Sequence, residues 1–201
     1  MLKKIINRLS VNPKIFIRLR RLLENNFTAQ KNVIKKYLTV RDSEKILDIG
    51  CGTGEFSVFF KPENYTGIDI EPAYINYAKK NYQGKFLLGD ATRLPFSENS
   101  FDRAVILGVL HHLNDSLCHK IFIEMKRALN SGARILIMED VSGAGDGWLT
   151  KKLHSFDKGG YIRTAEEYQI LLQTHFKIIN NFKIQSGLCP YQVFLLQKKD
   201  E

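Results

Sequence analysis

The chain predicts an α/β fold with a doubly wound, mostly parallel sheet, and three observations carry that expectation. A buried apolar run enters a glycine-rich turn at Ile46-Leu47-Asp48-Ile49-Gly50-Cys51-Gly52-Thr53-Gly54-Glu55-Phe56. Asp69 closes a second apolar run nineteen positions after Gly50. From there strand-like and helix-like segments alternate to the C-terminus, a pattern that needs a sheet covered on both faces with right-handed crossovers.

Residues 2–9 place Leu2, Ile5, Ile6 and Leu9 at helical spacing, and Ile15, Ile17, Leu19, Leu22 and Leu23 interleave with Lys14, Arg18, Arg20 and Arg21, so the start reads as basic and amphipathic. A further helix over about 28–38 leads through Asp42-Ser43 into the first strand. The glycine turn should open a helix whose N–H groups face the same crevice. Gly67-Ile68-Asp69-Ile70-Glu71-Pro72 ends the second strand, and Pro72 at a first-turn position starts a helix over about 72–81. Phe86–Ala91 ends a third strand and Ser100–Gly108 opens a fourth. Asp115 or Ser116 caps a helix running to Leu129, which stops near Asn130-Ser131-Gly132 before a strand at Ala133–Met138. Five glycines between Val141 and Gly160, with no periodicity, mark a long connection suited to facing a substrate. Thr164 with Glu167 forms a capping box for a helix near Thr164–Thr174, and two strands follow at about 176–184 and 191–198.

With 201 residues and 44% apolar content the chain can bury a full core. Net charge is +9, and its distribution is uneven: residues 1–41 hold eleven Lys/Arg against Glu24, or +10, leaving 19 basic and 20 acidic side chains, or −1, in the rest. The expected organisation is a basic helical extension over 1–41 and one catalytic domain over 42–201. Cys51, Cys118 and Cys189 are odd in number and widely spaced, which fits a reducing cytosol and gives neither a disulfide framework nor metal spacing. Asn7, Arg8, Asn12 and Lys14 interrupt the N-terminal apolar positions, so a signal peptide or spanning helix is not expected and the chain reads as cytoplasmic.

The glycines Gly50, Gly52 and Gly54 allow positive φ and close approach of a ligand to backbone. A dinucleotide turn needs G-x-G-x-x-G and tolerates no anion at its pyrophosphate. Here Glu55 holds the third glycine's place, and Asp48 and Glu55 flank the turn with negative charge. That repels phosphate and favours an ammonium and a sulfonium, so the turn reads as a site for S-adenosylmethionine, with Asp69 placed for a ribose diol.

This ordered series, over about residues 44–140, resembles the class I S-adenosylmethionine-dependent methyltransferases. The resemblance implies a Rossmann-like sheet of seven strands closed by an antiparallel hairpin. It implies that Asp48 and the turn Gly50, Cys51, Gly52 and Gly54 hold the methionine end, with Leu107 beside it, that Asp69 takes the ribose, that Ile70 covers one adenine face, and that Asp90 with the Ala91 N–H meets the adenine edge. The released product is S-adenosylhomocysteine.

Methyl transfer from a sulfonium is an in-line displacement, so alignment supplies most of the acceleration. Where the acceptor holds a proton, His111 or His112 past the fourth strand is the candidate base. Asp140, Arg163 and Tyr168 are the candidate acceptor contacts, with Arg163 alternatively paired to Asp157, and Pro190-Tyr191 near the last strand bordering the acceptor pocket or buried at the sheet edge. A metal site is not expected, because no convergent ligand set is evident. Acceptors on oxygen, nitrogen and carbon all occur on this fold. A small-molecule, glycan or lipid-linked acceptor is expected; the Asn/Asp-Pro-Pro-aromatic and Pro-Cys signatures of base-methylating relatives are replaced by Leu107-Gly108-Val109-Leu110. The alternatives are an RNA methyltransferase using the basic N-terminus, and a non-catalytic S-adenosylmethionine-binding module. The basic helices serve as a lid over the cleft, as a peripheral membrane contact worth about 1 kcal/mol per engaged side chain, or as a nucleic-acid surface. No sequence feature fixes an oligomeric state.

Overall fold

The computed structural model describes residues 12–142 and 160–199. The chain runs α1 (Pro13–Leu23), α2 (Thr28–Tyr37), β1 (Ile46–Ile49), β2 (Tyr65–Asp69), α3 (Pro72–Asn81), β3 (Lys85–Leu88), β4 (Phe101–Leu107), α4 (Asp115–Ala128), β5 (Leu129–Asp140), α5 (Ala165–Gln173), β6 (Phe176–Ser186) and β7 (Cys189–Lys198). The strands form one seven-stranded sheet in the order β3-β2-β1-β4-β5-β7-β6. β1 to β5 are parallel, and β7 lies antiparallel to both β5 and β6. The order reverses at β1, which pairs with β2 on one side and β4 on the other. The carboxyl ends of those strands therefore open a crevice at the switch point.

β1 and the last six residues of β5 are buried on both faces, as the continuous apolar runs Ile46–Ile49 and Ile135–Met138 require. On one face α4 and α5 pack Ile121, Phe122, Met125, Leu171 and Leu172 against Leu47, Ile49, Ile106 and Ile137. On the other face α1, α2 and α3 pack Ile17, Val33, Ile34 and Ile75 against Ile46, Val105, Leu136 and Val193. The described part of the first 41 residues thus shares a core with the sheet, and the expected boundary at 41/42 falls inside one packed body. The helix expected over residues 2–9, with its Leu2, Ile5, Ile6 and Leu9, lies outside the described residues, as do most of the glycine-rich connection and Asp157.

Local signals explain the helix ends. Asn12 caps α1 ahead of Pro13, Glu71 caps α3 ahead of Pro72, and Thr164 with Glu167 completes the capping box of α5. Two expectations need correcting. α4 is capped by Asn114, whose side chain accepts from the Leu117 N–H, and Asp115 is its first residue. No α-helix follows the glycine turn: Ser57–Phe59 and Pro62–Asn64 form 3₁₀ turns instead. Pro62 interrupts any helix there, and the preceding Val58, Phe59 and Phe60 have low helix propensity.

Candidate active site

The crevice at β1–β2 is built largely from backbone. Gly50 and Gly54 take φ of +71° and +80°, a region that side chains rarely enter. The amides of Gly50 and Cys51 donate to the Ile68 carbonyl at 2.8 and 3.1 Å, tying the turn to β2. Asp69 Oδ2 accepts from the Gly52 N–H at 2.8 Å and its Oδ1 from the Glu71 N–H at 2.8 Å, so the carboxylate is fixed between turn and α3. Ile70 is 71% exposed directly beyond it, an apolar surface open to a ring. Asp90 is exposed and its Oδ1 accepts from the Thr92 N–H and hydroxyl at 2.8 Å, with Ala91 half-buried next in the chain.

Asp48 is buried and accepts from the Tyr65 hydroxyl at 2.6 Å. Burial pushes its carboxyl up to about 7, against the opposing effect of the Tyr65 bond and with a further push from the Asp69 charge. A cationic ligand beside it would restore its ionised form. Glu55 does not add free negative charge to the turn as expected. Its Oε1 accepts from Arg21 Nε at 3.0 Å and Nη2 at 2.5 Å, and its Oε2 from the Tyr82 hydroxyl at 2.8 Å. The cation preference of the site therefore rests on Asp48 and Asp69.

A small cleft opens between the turn and α1, with Phe16, Arg20, Asp48, Gly50, Thr53 and Leu107 in its walls. α1 covers it. Phe16 stacks on Tyr74 of α3 with ring centroids 5.0 Å apart, and Arg21 reaches Glu55. Arg20 sits between the Phe16 and Phe27 rings, donates to Glu24 Oε1 at 2.6 Å, and donates through Nη2 to the Tyr191 hydroxyl at 3.2 Å. Tyr191 in turn donates to Glu24 Oε2 at 2.9 Å. Tyr191 is buried, and it borders this network rather than an open pocket.

The second half of the site is built from side chains. Glu139, fully buried at the end of β5, accepts from the N–H groups of Val109 and Leu110 at 2.9 and 3.0 Å and lies 2.9 Å from His111 Nδ1. Asp140 Oδ2 stands 3.9 Å from His111 Nε2. His111 is buried, whereas the neighbouring His112 is exposed with its ring centroid 4.0 Å away. His111 has a carboxylate on each side, Glu139 at Nδ1 and Asp140 near Nε2.

Arg163 is not directed at an acceptor. It is buried, donates to the carbonyls of Leu110, Leu113 and Tyr161 at 2.7–3.0 Å, and pairs with Asp115. Its role is to hold the loop after β4 from the side opposite Glu139. Tyr168 is fully buried in the core, 5.5 Å below the Arg163 guanidinium, and packs on Phe194. Neither residue is open to a substrate as expected. Among the described residues no group of three or more His, Cys, Asp or Glu is arranged to hold a metal.

The sequence reading missed Glu139, Arg20 and Tyr65. A carboxylate ending the apolar run Ile135–Met138 was the available signal for Glu139, and an Arg20/Glu24 pair at i, i+4 in an otherwise acid-free amphipathic segment the signal for Arg20.

Residues 46–132 match the family described as a methyltransferase domain. Over this stretch, 87 of the 201 residues, the chain is similar to methyltransferase domains. An O-methyltransferase of Aspergillus nomiae is 29% identical over 160 residues, covering 72% of this chain and 70% of the relative. A tRNA U34 carboxymethyltransferase of Campylobacter curvus is 30% identical over 115 residues, covering 53% and 37%. The solved structure of a methyltransferase from Methanosarcina mazei superposes with a TM-score of 0.67 at 24% identity, over 84% of this chain and 98% of that one, a likeness of fold. The chain spans 37–70% of the length of such curated relatives, about half for a demethylmenaquinone methyltransferase of Thermotoga maritima. The glycine turn, Asp48 and Asp69 set two carboxylates at the carboxyl ends of β1 and β2, a pair whose chemistry suits a cation and a diol and disfavours a pyrophosphate.

Proposed function

We propose that the chain transfers the methyl group of S-adenosylmethionine to a small-molecule, glycan or lipid-linked acceptor held over the carboxyl ends of β4 and β5, with His111 as the proton acceptor. The observation that carries this reading is the 2.9 Å contact between His111 Nδ1 and Glu139, which leaves Nε2 on the Asp140 side of the ring at the end of β5. In this reading Nδ1 carries the proton donated to Glu139, and Nε2 keeps the lone pair needed by a base.

The cofactor supplies an electrophilic methyl on a positively charged sulfur. Asp48 draws the ammonium end, Asp69 the ribose, and the glycine turn permits close approach. Held by the glycine turn, Asp48 and Asp69, the cofactor would supply that methyl to the acceptor's lone pair, sulfur keeping the electrons of the carbon–sulfur bond. The acceptor's proton passes to His111 Nε2, and Glu139 and Asp140 stabilise the positive ring that results. The relative that is an O-methyltransferase supports an acceptor that must lose a proton.

The test is transfer of labelled methyl from S-adenosylmethionine into a host lysate separated into small-molecule, lipid, glycan, protein and nucleic-acid fractions, repeated with His111→Gln. Label in the first three classes, lost on substitution while cofactor binding persists, supports the reading. Label in RNA would make the basic N-terminal segment the substrate surface, the alternative that the tRNA-modifying relative favours. Tight cofactor binding with no label in any fraction would return the non-catalytic alternative.

A further inference from the structure

α1 carries two opposed faces. Ile17 and Arg20 turn inward to the cofactor cleft. Ile15, Leu19 and Leu22 follow i, i+4, i+7 spacing and so share one outward stripe, where they are 39%, 45% and 80% exposed. Lys14 and Arg18, both exposed, border the stripe, and Arg21 keeps 44% of its side chain exposed beside Glu55. The helix Pro13–Leu23 contains no acidic residue. Asn12 and Pro13 fix its start, so the stripe is ordered before any partner arrives.

We propose that this outer face of α1 docks on an anionic lipid bilayer, with Ile15, Leu19 and Leu22 entering the acyl boundary and Lys14 and Arg18 over the headgroups. The combination decides the partner. A phosphate backbone of nucleic acid would take the basic border and leave three large aliphatic side chains in water, whereas an interfacial helix buries them while long basic side chains reach back to the headgroups. Among the described residues no helix is long and apolar enough to cross a membrane. The helix is about 10 Å thick, and its inner face lines the cleft; docking sets the cofactor about one helix diameter from the bilayer. This deepens the proposed function by favouring a lipid-linked acceptor, and rests on that reading only for the acceptor.

The experiment is co-sedimentation of the full chain with phosphatidylcholine vesicles with and without phosphatidylglycerol, for the parent and for Leu19→Glu/Leu22→Glu. Cofactor affinity is measured for both chains by calorimetry. The expected result is partitioning onto anionic vesicles at least about tenfold above neutral ones, weakened by high salt and lost about tenfold or more in the double variant, with cofactor affinity unchanged. Leu22→Phe keeps the partitioning and guards against a folding artefact. Equal partitioning of parent and double variant, or no binding of the parent, overturns the proposal; an RNA oligonucleotide retained by both chains without vesicle binding assigns the basic border to nucleic acid. Sedimentation reads docking without turnover, so its failure and the failure of the methyl-transfer assay are separate results.

Discussion

The two halves of this crevice, proposed here for cofactor at β1–β2 and for acceptor at β4–β5, share one sheet edge and are held in different ways. At β1–β2 the ligand-facing groups are fixed by neighbouring backbone: Gly50 and Cys51 bond to Ile68, and Asp69 is fixed by the amides of Gly52 and Glu71. At β4–β5 the loop carrying His111 is fixed by two buried side chains from distant segments, Glu139 on its amides and Arg163 on its carbonyls. A backbone-built site tolerates change in most of its side chains. A side-chain-built site fails when one anchor is lost, and can be retuned by few substitutions.

Asp69→Ala should produce the largest effect, because one carboxylate serves both ligand and turn: cofactor affinity in calorimetry should fall by about 100-fold or more, each tenfold being about 1.4 kcal/mol. Unchanged affinity would break the assignment of this half. Next comes Glu139→Gln, which keeps an acceptor for the loop amides and removes the charge behind His111. We expect kcat to drop by about 100-fold, within the range for lost general-base catalysis, with cofactor affinity little altered. An equal loss of both would mean that the two halves are one mechanical unit.

Arg163 distinguishes charge pairing from carbonyl satisfaction. Asp115 keeps 70% of its side chain exposed, so that ion pair is screened and worth little. The buried Leu110 carbonyl is not screened. Arg163→Met should therefore cost about 2–4 kcal/mol in denaturant unfolding, and Asp115→Asn under about 1 kcal/mol. Similar costs for both would show that the charge holds the loop. Asp48→Asn should act with the opposite sign. Its folded carboxyl lies near 7, above the model-peptide value of about 3.9, so the folded state binds more protons than the unfolded one and stability falls as pH rises from about 4 through 7. The amide retains a partner for the Tyr65 hydroxyl and removes the buried charge; at pH 8 the variant should gain on the order of 2 kcal/mol while losing cofactor affinity. A destabilised variant would show that the charge is compensated within the apo fold.

What was legible in the sequence follows the same division. The capping box at Thr164/Glu167, Pro72 at the start of α3, the apolar strand β1 and the glycine turn are each encoded within a few residues, and the structure has them. The antiparallel β6–β7 hairpin followed from the family resemblance. The unread features pair residues far apart in the chain: His111 and Glu139 are 28 positions apart, Arg21 and Glu55 34, Arg163 and Asp115 48, and Tyr191 and Glu24 167. No local period announces such a partner. For that reason Glu55 looked like a free anion and Arg163 like a substrate contact. The missing helix after β1 is a different failure, in which the expected strand–helix alternation outweighed Pro62.

The smallest effect provides the control that separates fold stability from site chemistry. His119 Nδ1 lies 2.7 Å from His175 Nε2, outside both halves of the crevice. Burial holds the His175 ring below its usual value, with the charges of His119, Lys126 and Lys199 adding to the effect. Its folded pKa is thus below the unfolded 6.5, the unfolded chain binds more protons, and the contribution to stability is full above about 6.5 and is lost as pH falls toward the folded value. This slope is opposite to that of Asp48 in an overlapping window, so the parent's pH profile alone would mix the two. The difference between parent and His175→Asn in thermal melts at pH 5.5 and 7.5 isolates it: the variant should lose less stability on acidification, by under about 1 kcal/mol, with cofactor affinity unmoved at both pH values. A change in affinity on this substitution would mean that α4 and α5 transmit strain to the crevice, and the separation between the two halves and the rest of the fold would fail.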